Sequence, residues 1–170
     1  MKQFLINDKG FTLIEILVTI AIVSLLLVIS VPNFRDYKYK NDLSRGADLV
    51  QSAIYEAKNL ALAPQTEKDK DTGYYAISFE SDTNIMSLNE VKSEFVDSPE
   101  RILVKKFDMP SDISFEEDIT KEIVFSIEEQ GKIIKPSEDA VIKIKNKKIK
   151  SGRNIKTIFV NKVTGQVNIE

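Results

Sequence analysis

Apolar positions fall into three regimes along this chain, and each predicts a different element. From Phe11 to Val31 the sequence FTLIEILVTIAIVSLLLVISV holds 21 residues and a single charge, Glu15. Wound as an α-helix at about 1.5 Å per residue, it would span roughly 30 Å, the thickness of a bilayer's hydrocarbon core. Beyond Pro32 the apolar residues become one-sided: Leu43, Ala47, Val50, Ile54, Ala57 and Ala61 recur at spacings of 4, 3, 4, 3 and 4, with charged and hydroxyl residues between them. That spacing predicts an amphipathic helix with one covered stripe. Pro64 disfavours helical geometry at Ala63, and the polar run from Gln65 to Gly73 reads as a loop. Together these regimes predict a nearly continuous helix from Phe11 to Ala63, kinked or loosened near Pro32 and near Gly46.

From Tyr74 onward the period changes to two. The segments Tyr74–Glu80, Asn84–Leu88, Ile102–Phe107, Asp112–Phe115, Glu122–Ile127, Ala140–Lys145 and Ile155–Val160 are strand-length and rich in β-branched and aromatic residues. Glu129-Gln130-Gly131-Lys132 and Lys162-Val163-Thr164-Gly165-Gln166 read as hairpin turns, with glycine supplying a positive φ. The stretch 87–99 leaves room for a short helix. Seven to nine short strands predict an antiparallel sandwich or pair of sheets packed on the second half of the helix. The fold class is therefore α+β: a long N-terminal helix, transmembrane in its first half and amphipathic in its second, on an antiparallel β-rich head. The boundaries follow as 1–10 for a polar leader, 11–31 for the apolar helix, 32–63 for the amphipathic helix and 74–170 for the head.

Composition narrows the chemistry. The chain has 170 residues, 24 Lys and Arg against 26 Asp and Glu for a net charge of −2, and neither cysteine nor histidine. That excludes a disulfide framework, a thiolate nucleophile, a Cys/His zinc site and a histidine triad. No G-x-S-x-G or S-x-x-K with supporting motifs stands out. The chain reads as a non-enzyme with no catalytic residue, no cofactor and no metal.

The N-terminus is the most informative segment. A cleaved secretory signal fits poorly, because the apolar core is too long and no A-x-A-like site follows it. A plain signal anchor fits better, yet Lys2 and Lys9 before the span are balanced by Arg35, Lys38 and Lys40 after it, so charge alone does not orient it. Neither reading explains Glu15, whose carboxylate costs about 3 kcal/mol inside a membrane unless it meets a cation. Cutting between Gly10 and Phe11 would supply one, an α-amine four residues from Glu15, on the same chain or on a neighbour.

The run Lys9-Gly10-Phe11-Thr12-Leu13-Ile14-Glu15, after a short basic leader and before an apolar helix, resembles the class III signal of type IV prepilins and type II secretion pseudopilins. The resemblance implies cleavage after Gly10 by a prepilin peptidase, N-methylation of Phe11 and pairing of Glu15 with a neighbour's terminal amine during assembly. It also implies a pilin-like fold and, as partners, other pilins or pseudopilins, the inner-membrane assembly platform and the membrane itself. The expected location is a single pass through the inner (cytoplasmic) membrane with the head outside the cytoplasm, then a pilus or pseudopilus. More loosely, the head resembles H-type minor pseudopilins and FimT-type minor pilins. The residues that carry this are Ala53–Asn59, Ile123-Val124-Phe125 with Gly131, and Thr157–Val160 with Thr164-Gly165. The expected role is a structural subunit, of minor type, in a pilus or a secretion-like pseudopilus.

Charge along the head is segregated. Between Glu80 and Glu129 there are 14 acids and 5 bases, and from Lys135 to Lys162 nine bases against two acids. Glu116-Glu117-Asp118 lacks the D-x-D-x-D-G spacing of a calcium loop and reads as solvated surface. Lys145, Lys147, Lys148, Lys150 and Arg153 are the candidates for contact with a partner. An acidic neighbouring subunit is favoured, and a phosphate backbone is the alternative, which would make the chain a DNA-binding minor pilin of an uptake system. Only Phe159 supplies an aromatic in that window, where a single-strand platform needs several.

Overall fold

The computed structural model describes residues 10–63, 72–92, 101–149 and 154–170, the side chains of 29–33 and 72 excepted. One α-helix, α1 (Leu13–Leu62), precedes nine strands among the described residues: β1 (Thr72–Phe79), β2 (Ile85–Lys92), β3 (Arg101–Asp108), β4 (Ile113–Phe115), β5 (Glu122–Ser126), β6 (Lys132–Lys135), β7 (Ala140–Asn146), β8 (Ile155–Val160) and β9 (Val167–Ile169). The chain divides into two compact units, Met1–Lys38 and Tyr39–Glu170.

In the first unit the apolar side chains of α1 lie open on all sides, from Leu13 at 81% exposure to Val28 at 75%. Among the described side chains of 13–28, no polar side of the kind an amphipathic helix shows sets one face apart. Among the described residues no helix is long and apolar enough to cross a membrane. The expected span 11–31 runs into 29–33, whose side chains lie outside the description. The leader, residues 1–9, lies outside the described residues as well, and so does 64–71 of the expected loop.

In the second unit, α1 from Tyr39 onward covers two antiparallel sheets, ordered β3-β2-β1-β5-β6 and β4-β7-β8-β9. The stripe read from the 4-3-4-3-4 spacing is the buried face: Leu43, Ala47, Val50, Ile54, Ala57 and Ala61 are each at most 3% exposed. They join the inner faces of both sheets in one core with Ile77, Phe79, Met86, Leu88, Phe115, Phe125, Ile142, Ile144 and Ile158. Phe79 and Phe115, one from each sheet, meet edge to face at 5.4 Å between ring centroids.

Two expectations are corrected and one strand is added. Residue 46 lies inside the unbroken helix, and what Gly46 provides is close approach: a Cβ there would meet Ile113 Cγ2 at 3.3 Å and Ile144 Cδ1 at 3.4 Å. Residues 87–92 are strand, because Ser87 and Val91 pair with Ser78 and Tyr74 of β1 and Leu88 faces the core; 93–99 lies outside the described residues. The strand β6, unassigned in the sequence reading, is the return arm of the hairpin at Gly131. Gly131 and Gly165 do take positive φ, 72° and 64°.

Candidate functional site

The segment Gly10 to Glu15 opens the helix. Gly10 stands in open space, with nothing within 4 Å of a Cβ built on it, and Phe11 is 82% exposed. Thr12 is the N-cap: its carbonyl accepts from the N–H groups of Glu15 at 3.1 Å and Ile16 at 3.2 Å, and its Oγ1 accepts from Glu15 N–H at 3.3 Å. Glu15 answers, its Oε2 accepting from Thr12 N–H at 3.4 Å and from the Thr12 hydroxyl at 3.5 Å. This reciprocal arrangement is a capping box, which satisfies two backbone donors that a helix start leaves open. The sequence reading missed it, although T-x-x-E ahead of an apolar run is its signature. The box turns the Glu15 carboxylate back toward the N-terminus, one residue from the Phe11 nitrogen. One turn further on, Thr19 donates to the Ile16 carbonyl at 2.8 Å and so satisfies its hydroxyl on its own helix.

The charged face of the head is built differently from its linear charge pattern. Strands β4 and β7 are antiparallel neighbours, with Ser114 opposite Lys145 and Phe115 opposite Ile144. That pairing lays the acidic stretch after β4 alongside the basic side chains of β7. Lys145 Nζ lies 3.1 Å from Glu116 and 3.7 Å from Asp82, Lys143 lies 3.7 Å from Asp118, and Lys148 lies 3.9 Å from Asp112. The hydrogen bond to Glu116 raises the Lys145 pKa above its ordinary value, with further support from the Glu116, Asp82 and Glu117 charges, against a partial loss of hydration. Lys147 is exposed, and its backbone N–H donates to the Asp112 carbonyl at 2.9 Å. Lys150 and Arg153 lie outside the described residues. Of the five basic candidates, then, Lys145 and Lys148 face carboxylates of their own head. Among the described residues no group of three or more acidic side chains is placed to hold a metal ion.

Beside this face, Asn146 is fully buried: its Nδ2 donates to the Tyr39 carbonyl of α1 at 3.1 Å, and its Oδ1 accepts from Lys148 N–H at 2.8 Å. Nearer the C-terminal end of the helix, Lys58 donates to the Thr164 carbonyl at 2.7 Å and holds the β8–β9 turn. Lys105 of β3 pairs with Glu56 at 2.8 Å.

Comparison with known proteins matches the N-terminus to a described motif. Residues 6–31 match the prokaryotic N-terminal methylation motif. The chain is similar to the type IV major fimbrial protein FimA of Dichelobacter nodosus, 32% identical over 97 residues that cover 51% of this chain and 61% of that protein. It is 34% identical over 71 residues to the type IV major alpha-pilin of Moraxella bovis, covering 38% and 45% of the two chains. A fimbrial protein of Pseudomonas aeruginosa is 34% identical over 74 residues, covering 39% and 46%. The chain thus spans about half the length of the curated relatives it matches. No solved structure is a significant match. The chain thus shares the prokaryotic N-terminal methylation motif, and a stretch of similarity over part of its length, with type IV fimbrial proteins.

Proposed function

We propose that the chain is a structural subunit of a type IV pilus or a related pseudopilus. The observation that carries this reading is the methylation motif at 6–31 on a helix whose apolar side chains lie open on every side, in a chain with a separately packed head. A prepilin peptidase cuts between Gly10 and Phe11 and Phe11 is N-methylated. The apolar helix lodges in the inner membrane with the head outside the cytoplasm, and the assembly platform then draws the subunit into a fibre of like helices. Glu15 pairs with a neighbour's terminal amine and sets the register, because an unpaired carboxylate in that core is costly. The chain acts by assembly, without catalysis. A DNA-uptake role draws less support, since Lys145 and Lys148 are engaged by Glu116, Asp82 and Asp112. Mass spectrometry of the mature protein tests the reading: chains beginning with N-methylated Phe11 are expected, and chains that retain Met1 at full maturity overturn it.

A further inference from the structure

We propose that Phe34, Arg35, Tyr37 and Lys38 form an interfacial collar that selects anionic lipid headgroups on the head side of the membrane; this rests on the membrane insertion proposed above. All four lie on α1 within the first unit and are exposed, Phe34 and Tyr37 each at 69%. Spacings of three and four place Phe34, Tyr37 and Lys38 on one side of the helix, with Arg35 beside them.

The order of chemistry along the helix is the first argument. Aliphatic side chains continue to Val31, then within two turns come two aromatic rings and two cations with Asp36 as the single acid among 34–38. A bilayer leaflet presents the same order, from hydrocarbon to the headgroup level, where aromatic rings settle, to phosphate. Neither ring is covered by the chain's own packing, which leaves both for an external apolar layer. The second argument is charge. Cations beyond the span oppose the orientation that Lys2 and Lys9 favour under the positive-inside rule. Their service is therefore local: a cation at the membrane surface draws anionic headgroups, with about a five-fold gain for each base. The occupant is the headgroup of an anionic phospholipid, whose phosphate meets the cations and whose acyl chains meet Phe34 and Tyr37.

The test uses the full chain reconstituted in phosphatidylcholine vesicles doped with spin-labelled phosphatidylglycerol or spin-labelled phosphatidylcholine. The expected result is that the wild-type chain associates with the glycerol lipid at least five-fold more than with the choline lipid. The double variant Arg35→Gln/Lys38→Gln loses that preference while staying membrane-bound under carbonate extraction. Equal association of both lipids with the wild type, or the same preference in the double variant, overturns the collar and leaves the pilus reading standing. Release of the wild-type chain by carbonate overturns insertion, and the collar with it.

Discussion

Asn146, at the end of β7, donates its side-chain amide to the backbone carbonyl of Tyr39 in α1, 107 positions earlier in the chain. The same side chain accepts from Lys148 N–H, so one buried residue ties the start of the head-bound helix to the turn that follows β7. Replacing Asn146 with Leu keeps the volume and orphans the Lys148 donor. Urea unfolding of the full chain in detergent is expected to show a loss of about 1–3 kcal/mol. An unchanged midpoint would mean the tie contributes nothing.

Lys145 to Met removes the cation between Glu116 and Asp82 and is expected to cost about 1 kcal/mol at neutral pH, less at high salt. Its pKa is raised by folding. The stabilisation is therefore complete below the unfolded lysine pKa and disappears as pH rises through the folded one. Denaturation curves of wild type and variant should converge only in that alkaline range. Convergence near neutrality would contradict the pairing.

Thr12 to Val keeps shape and removes the hydroxyl of the capping box, while Thr12 to Ser retains it. A loss of about 1 kcal/mol at the helix start is expected for Val alone. Hydrogen exchange of the first-turn amides in micelles should accelerate about five-fold in the Val variant and remain near wild type in the Ser variant.

Glu15 to Ala separates two stages of the proposed life cycle. Membrane insertion and cleavage after Gly10 should persist, and incorporation into sheared fibres should fall below detection. Normal incorporation would remove Glu15 from the register argument.

Gly46 to Val places branched methyl groups against Ile113 and Ile144, already 3.3 and 3.4 Å from a bare Cβ. A cost of about 2 kcal/mol is expected. Gly46 to Ala should come close to neutral, because the gain in helix propensity of about 1 kcal/mol offsets milder crowding. Thermal unfolding of both variants, compared side by side, checks the contrast.

Much of this architecture is local and therefore legible. The stem stripe from Leu43 to Ala61 is a period that each residue reports for itself, and Glu122–Ser126 or Ala140–Asn146 alternates long enough to declare a strand. Strands β6 and β9, four and three residues long, are too short for a period and are announced only by the glycines before them. Thr12 was read as one letter of a processing signal, which hid its hydrogen bonds to Glu15. The charge pattern misled more deeply. Counting along the chain makes 135–162 a basic face, but the pairing of β4 with β7 is a tertiary fact that folds acids onto those bases. Linear spacing carries no trace of which strand becomes whose neighbour.

The register shift between Leu88 and Asn89 has a consequence for crowding. There Lys105 and Leu103 face consecutive residues of β2, and Val104 is the extra residue of a bulge on the outermost strand of the larger sheet. A bulge twists an edge and interrupts its row of open donors and acceptors, and the exposed Lys106 adds a charge to it. Heads drawn side by side into a fibre would meet at very high local concentration. In the proposed fibre, an edge spoiled in this way would let heads touch without fusing their sheets, leaving the stacking to the helices.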